Sequence, residues 1–73
     1  MGSEREVKER ILQILEEAYP KDLPIIEVAK RAGVSKETAS KYLAVMEAEG
    51  LVRKRKVGRA KLYGLIKQEE PAR

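Results

Sequence analysis

Arg53, Lys54, Arg55, Lys56, Arg59 and Lys61 follow one another with no acid among them, interrupted only by Val57, Gly58 and Ala60. Fixed cations at this density do one kind of chemistry well: they hold phosphates by charge, without proton transfer. The rest of the chain does not share the excess. Residues 1–50 carry eight Lys/Arg and ten Asp/Glu, a sum of −2; residues 51–73 carry eight Lys/Arg and only Glu69 and Glu70, a sum of +6. A solvated hairpin kept basic for solubility would have the same local composition, so the ribbon alone leaves both readings open.

Other chemistries lose their reagents. The chain has no histidine and no cysteine, which removes the commonest general base, the commonest zinc ligand and any disulfide. Carboxylates and lysines remain, but no motif pairs them, and there is no Walker A loop, GxSxG elbow or HExxH. No enzyme, metal or cofactor is expected. No apolar run approaches the ~18–20 residues that span a bilayer, and no signal-peptide core opens the chain. Gly2 could suggest myristoylation, but Glu6 stands where Ser or Thr is needed. A cytoplasmic, nucleoid-associated protein is expected. At 73 residues, 38% of them charged, the chain suits one small domain. High Lys/Glu with no Asn or Cys follows the thermophile tendency, although so short a chain could reach it by chance.

The ribbon needs elements to present it. Ser3-Glu4-Arg5-Glu6 has the form of a capping box, and Val7, Ile11, Ile14, Leu15 and Ala18 recur at helical spacing, predicting a helix over about 4–18. Glu4–Lys8 and Glu6–Arg10 are favourably ordered i,i+4 pairs. Leu12 and Tyr19 widen the apolar face, either for the core of a small domain or for a dimer interface. Leu23-Pro24 is long enough for one extended step. A second helix is predicted over about 25–32 from Ile25, Val28, Ala29 and Ala32, with Asp22 a candidate cap. Gly33 stops it and Ser35 caps a third helix over about 36–49. Two helices around a tight glycine turn suggest a helix-turn-helix, with a generic helical corner as the other reading.

The third helix places Ala39, Tyr42, Leu43 and Met46 on one side. The other side carries Glu37, Ser40, Lys41, Ala44 and Ala48, with Lys36 and Thr38 in the first turn. That outward face is short, small or polar, which permits close approach and hydrogen bonds to phosphates or base edges. Gly50 ends the helix. Residues 51–66 predict a two-stranded hairpin turning at Val57-Gly58-Arg59, although Leu62/Ile66 and Tyr63/Leu65 fall on opposite faces and periodicity does not decide which pair is buried. Residues 67–73 form a polar tail. The elements predict an α+β fold class, mainly α, in one domain over 1–73: three helices, then a β-hairpin, which is a wing if the glycine turn is that of a helix-turn-helix.

The run Val34-Ser35-Lys36-Glu37-Thr38-Ala39-Ser40-Lys41-Tyr42-Leu43, followed by Met46-Glu47-Ala48-Glu49-Gly50-Leu51-Val52, resembles the "LSxxTVSxHLxxLexxGLV" stretch of winged helix-turn-helix regulators of the ArsR and MarR type. The hairpin through Gly58 to Tyr63 continues the likeness, which covers about Leu23 to Leu65. The resemblance implies that Lys36, Thr38, Ser40 and Lys41 belong to a recognition helix and that Arg55, Lys56, Gly58 and Arg59 form the wing tip. Metal-sensing members use Cys or His, which this chain lacks. Many members carry further helices that dimerise them or shape an effector pocket, and none is read after the wing here. Double-stranded DNA is the expected partner, with a homodimer through Leu12 and Tyr19 as an open option and no membrane or small-molecule substrate. Ser35, Lys36, Glu37, Thr38, Ser40 and Lys41 would serve as the helix side of the site, and Arg53, Lys54, Arg55, Lys56, Gly58, Arg59 and Lys61 as its wing side. Glu37 would accept from a cytosine amino group or simply favour the helix N-terminus. The competing class is a winged-helix module that docks protein or RNA.

Overall fold

The computed structural model describes residues 3–66, with side chains from Arg5 onward. Helix α1 spans Ser3–Ala18, strand β1 Leu23–Pro24, α2 Ile25–Ala32, α3 Lys36–Ala48, β2 Val52–Val57 and β3 Ala60–Leu65. The Ser3 side chain that a capping box would use, and the polar tail over 67–73, lie outside what is described.

The helices form because each has one apolar stripe to bury. Ile11 and Leu15 of α1, Val28 of α2, and Ala39, Leu43 and Met46 of α3 are fully buried, and Val52 and Tyr63 of the hairpin close the same core. Each large apolar side chain so buried contributes about 1.5–3 kcal/mol. Of the expected i,i+4 pairs of α1, Glu4–Lys8 lies outside the described side chains, and two cations of this helix reach further than one turn. Arg10 Nη1 donates to the carbonyl of Ala32 at 3.0 Å, and Lys8 Nζ lies 2.7 Å from a carboxylate oxygen of Glu49. Both targets sit at helix C-termini, of α2 and α3, where unsatisfied carbonyls concentrate negative charge and attract cations.

The α2–α3 turn is closed by hydrogen bonds at both ends. Gly33, at φ 73°, takes a left-handed conformation that costs other residues about 1–2 kcal/mol. From there its N–H reaches Lys30 O at 3.2 Å and that of Val34 reaches Ala29 O at 3.0 Å, the Schellman pattern. Ser35 then caps α3: its hydroxyl accepts from the Thr38 N–H at 3.1 Å and donates to Thr38 Oγ1 at 2.9 Å. The α3 helix repeats the first device at its end, with Gly50 N–H on Glu47 O and Leu51 N–H on Met46 O. It stops at Ala48, one residue earlier than expected, with Glu49 as its cap.

The strands form one antiparallel sheet in the order β1-β3-β2. Val52 pairs with Leu65, Lys54 with Tyr63 and Lys56 with Lys61, while Arg53 faces Gly64 and Arg55 faces Leu62. Cross-strand partners share a face, and Tyr63 is 4% exposed. The ambiguity left by periodicity is thereby resolved: Tyr63 and Leu65 point inward, and Leu62 lies on the outer face beside Pro24 of β1. Asp22 does not cap α2. That helix has Pro24 at its N-cap position and no side-chain cap, because the Asp22 carboxylate is spent on the wing.

Candidate nucleic-acid interface

Helix α3 stands with its outward face clear of the core. Glu37, Lys41, Ala44 and Ala48 are exposed and Ser40 is half-buried. The wing turn comes back toward the N-terminal end of this helix. Val57 pairs with Ala60, so the loop is the two residues Gly58 and Arg59. Gly58 has φ 60° and among the described residues no non-glycine has a positive φ, Arg59 included, which is how a type II′ turn carries a twisted hairpin. Lys36, Glu37 and Ser40 of α3 and Arg59, Ala60 and Lys61 of the wing line a single concavity of about 450 Å³, floored by Pro24, Ile25 and Ile26. Helix face and wing tip are parts of one surface.

The cations are not equivalent. Arg53 and Arg55 point to the outer face of the sheet, where Asp22 waits with its side chain only 3% exposed. Arg53 Nη2 donates to Asp22 Oδ1 at 3.2 Å. Arg55 Nη2 is 3.2 Å from Oδ2, close enough for charge attraction but not aligned as a hydrogen bond. Both arginines stay more than half exposed. Lys54, Lys56 and Lys61 lie on the opposite face with Tyr63, and Arg59 is at the tip. Gly64 makes the Asp22 contact feasible, because a Cβ there would overlap Asp22 Oδ1.

Ser35 and Thr38 are partly committed to the helix cap, so Lys36, Glu37 and Ser40 are the helix residues that share the wing concavity. Lys41 faces the other flank of α3, beside Arg5 and Lys8 of α1. Leu12 is half-buried against the core, while Tyr19 is 44% exposed. Asp22, Gly64 and the concavity floor at Ile26 are what sequence reasoning missed. Their roles depend on the β1–β3 register, which no local pattern encodes.

Among the described residues two groups show displaced acidities. The hydrogen bond from Arg31 holds the Glu27 carboxyl on α2 below its usual range. Burial, with Glu47 nearby, pushes the Tyr63 phenol up. Neither lies on the α3–wing concavity. Among the described residues no cluster of acids, histidines or cysteines could hold a metal ion.

A winged helix-turn-helix domain model matches residues 1–60. The crystal structure of a MarR-family transcriptional regulator from Silicibacter pomeroyi is similar, with a TM-score of 0.74 and 33% identity over 82% of this chain. The chain spans 40% of that protein's length. No curated protein matches it. With three helices, a three-residue turn before the third and a two-stranded wing returning to that helix, the chain belongs to the winged helix-turn-helix domain family.

Proposed function

We propose that the chain binds double-stranded DNA sequence-specifically as a small transcriptional regulator, with α3 in the major groove and the wing along the backbone. One observation carries this: the small, polar N-terminal part of α3 and the cationic wing tip border the same concavity. In this reading Lys36 and Ser40 touch base edges or phosphates, and Arg59 and Lys61 hold phosphates beside them. Glu37 lies in the first turn of α3, where a carboxylate is favoured by the helix dipole and could accept from a cytosine amino group. The MarR-family regulator that the chain is similar to supports the same reading.

Lys41, on the other flank of α3, would meet the opposite edge of the groove. Self-association through α1 and the residue that follows it belongs to the proposal, with Tyr19 as its exposed half, since Leu12 is already half-committed to the core. Sedimentation of the free protein checks it. A cytoplasmic, nucleoid-associated location follows from the DNA reading, and no helix among the described residues is long and apolar enough to cross a membrane.

The test is a randomised-duplex selection followed by gel shifts at two salt concentrations. Arg59→Ala is expected to weaken binding to every duplex and to lower the slope of log K against log salt by about 0.9, the amount for one phosphate contact. Ser40→Ala is expected to relax sequence preference with little change in slope. Exposed Ile26, at 63% on the concavity floor, favours the rival protein-docking reading. Binding to a protein partner that ignores salt, with no duplex enriched, would replace DNA with that reading.

A further inference from the structure

The wing concavity occupies only one flank of α3. On the other flank Lys41, Tyr42 and Val45 of α3 join Arg5 and Lys8 of α1 around a second concavity of about 360 Å³. At about 100° per residue, the Lys36–Ser40 edge and the Lys41–Val45 edge lie on opposite sides of the Glu37–Ala44 crest. The crest is therefore bordered by cations on both sides: Lys36, Arg59 and Lys61 toward the wing, Arg5, Lys8 and Lys41 toward α1.

The second concavity has a definite chemistry. Arg5 and Lys41 are exposed and neither forms an ion pair with a carboxylate among the described residues. Lys8 is anchored to Glu49, which leaves Arg5 and Lys41 as the free charges. Val45, 45% exposed, and half-buried Tyr42 add an apolar wall between them. Cations beside a small apolar wall suit a sugar-phosphate strand, with phosphate on the guanidinium and ammonium and deoxyribose on the valine.

Resting on the proposed DNA reading, we infer that Arg5 and Lys41 form a second backbone site, which holds the phosphate strand across the major groove from the one held by the wing. A groove about 12 Å wide with a phosphate strand on each edge matches a helix that has cations on each flank. The amino-terminal turn of α1 thus becomes part of the DNA-binding surface, and α3 is held from both sides.

The experiment compares Arg5→Gln, Arg59→Ala and the unaltered chain on one selected duplex. It uses salt titration and hydroxyl-radical footprinting of each strand. Arg5→Gln is expected to lower the salt slope by about 0.9 and to lose protection on one strand only. Arg59→Ala is expected to lose protection on the other. If Arg59→Ala weakens binding while Arg5→Gln leaves slope and footprint unchanged, the second site is overturned and the DNA reading survives. If the unaltered chain binds no duplex, both are overturned. If Arg5→Gln changes sedimentation of the free protein but not the slope, the face belongs to a second copy of the chain, which also overturns the site. Circular dichroism of Arg5→Gln checks that α1 is intact.

Discussion

A carboxylate held 3% exposed has lost nearly all of its water, and only nearby cations can replace it. Asp22 obtains that replacement from Arg53 and Arg55, which keep their own outer edges wet. The desolvation cost therefore falls mainly on the acid. The arrangement also depends on what is missing at Gly64, since a methyl there would enter the space of Asp22 Oδ1. Gly64→Ala is expected to destabilise the fold by about 1–3 kcal/mol through overpacking. In an Asp22→Ala background the same change should cost less than about 1 kcal/mol, because the clash is gone and the two sites are coupled. Urea unfolding of the four proteins in this cycle measures the coupling; additive costs would show that Gly64 is needed for some other reason. None of this was legible in the sequence. Asp22 reads as a turn or cap residue in a linker, and Arg53 and Arg55 read as two of six equal cations. Only the β1–β3–β2 register sets them apart.

At the level of elements, the parts written in local chemistry could be read from the chain. Gly33, Ser35 and Gly50 mark the ends of α2 and α3 because a left-handed residue or a side-chain cap acts on its nearest neighbours alone. The hairpin strands were legible as strands, but their inward face was not, since Leu62/Ile66 and Tyr63/Leu65 are equally apolar pairs. The answer comes from tertiary pairing, with Leu23 opposite Tyr63 on the side that faces the helices. That choice has a pH signature. Burial raises the Tyr63 phenol above its ordinary value of about 10, so the folded state keeps the proton longer than the unfolded chain does. The contribution is fully present below pH 10 and is lost as pH rises through the folded value. Wild-type protein is expected to lose stability above about pH 10 more steeply than Tyr63→Phe, which has no phenol to ionise. Chemical denaturation of both proteins across that range checks it. Parallel declines would place the phenol in contact with water.

Taken as a whole, the molecule balances two opposite effects of its own charge. Its +4 net charge is the remainder of an acidic first part and a strongly basic hairpin, and the fold divides that hairpin's cations between its two faces, Arg53 and Arg55 on one and Lys54, Lys56 and Lys61 on the other. Lys56 and Lys61 sit directly opposite each other on one face of the wing. Like charges in that position cost about 0.2–1 kcal/mol in the free protein. A bound phosphate strand would turn that repulsion into attraction. Salt screens exposed charges over about 10 Å at 0.1 M, so added salt should stabilise the free protein slightly while it weakens DNA binding. Lys56→Gln is expected to reproduce both signs at once: a gain of a few tenths of a kcal/mol in stability without DNA, and weaker duplex binding with a smaller salt slope. Thermal melts at about 50 and 300 mM salt, spanning strong and weak screening, give the first sign, and gel shifts over the same range give the second. A variant that lost stability and bound DNA unchanged would make Lys56 a structural residue and leave the phosphate contacts to the wing tip and α3.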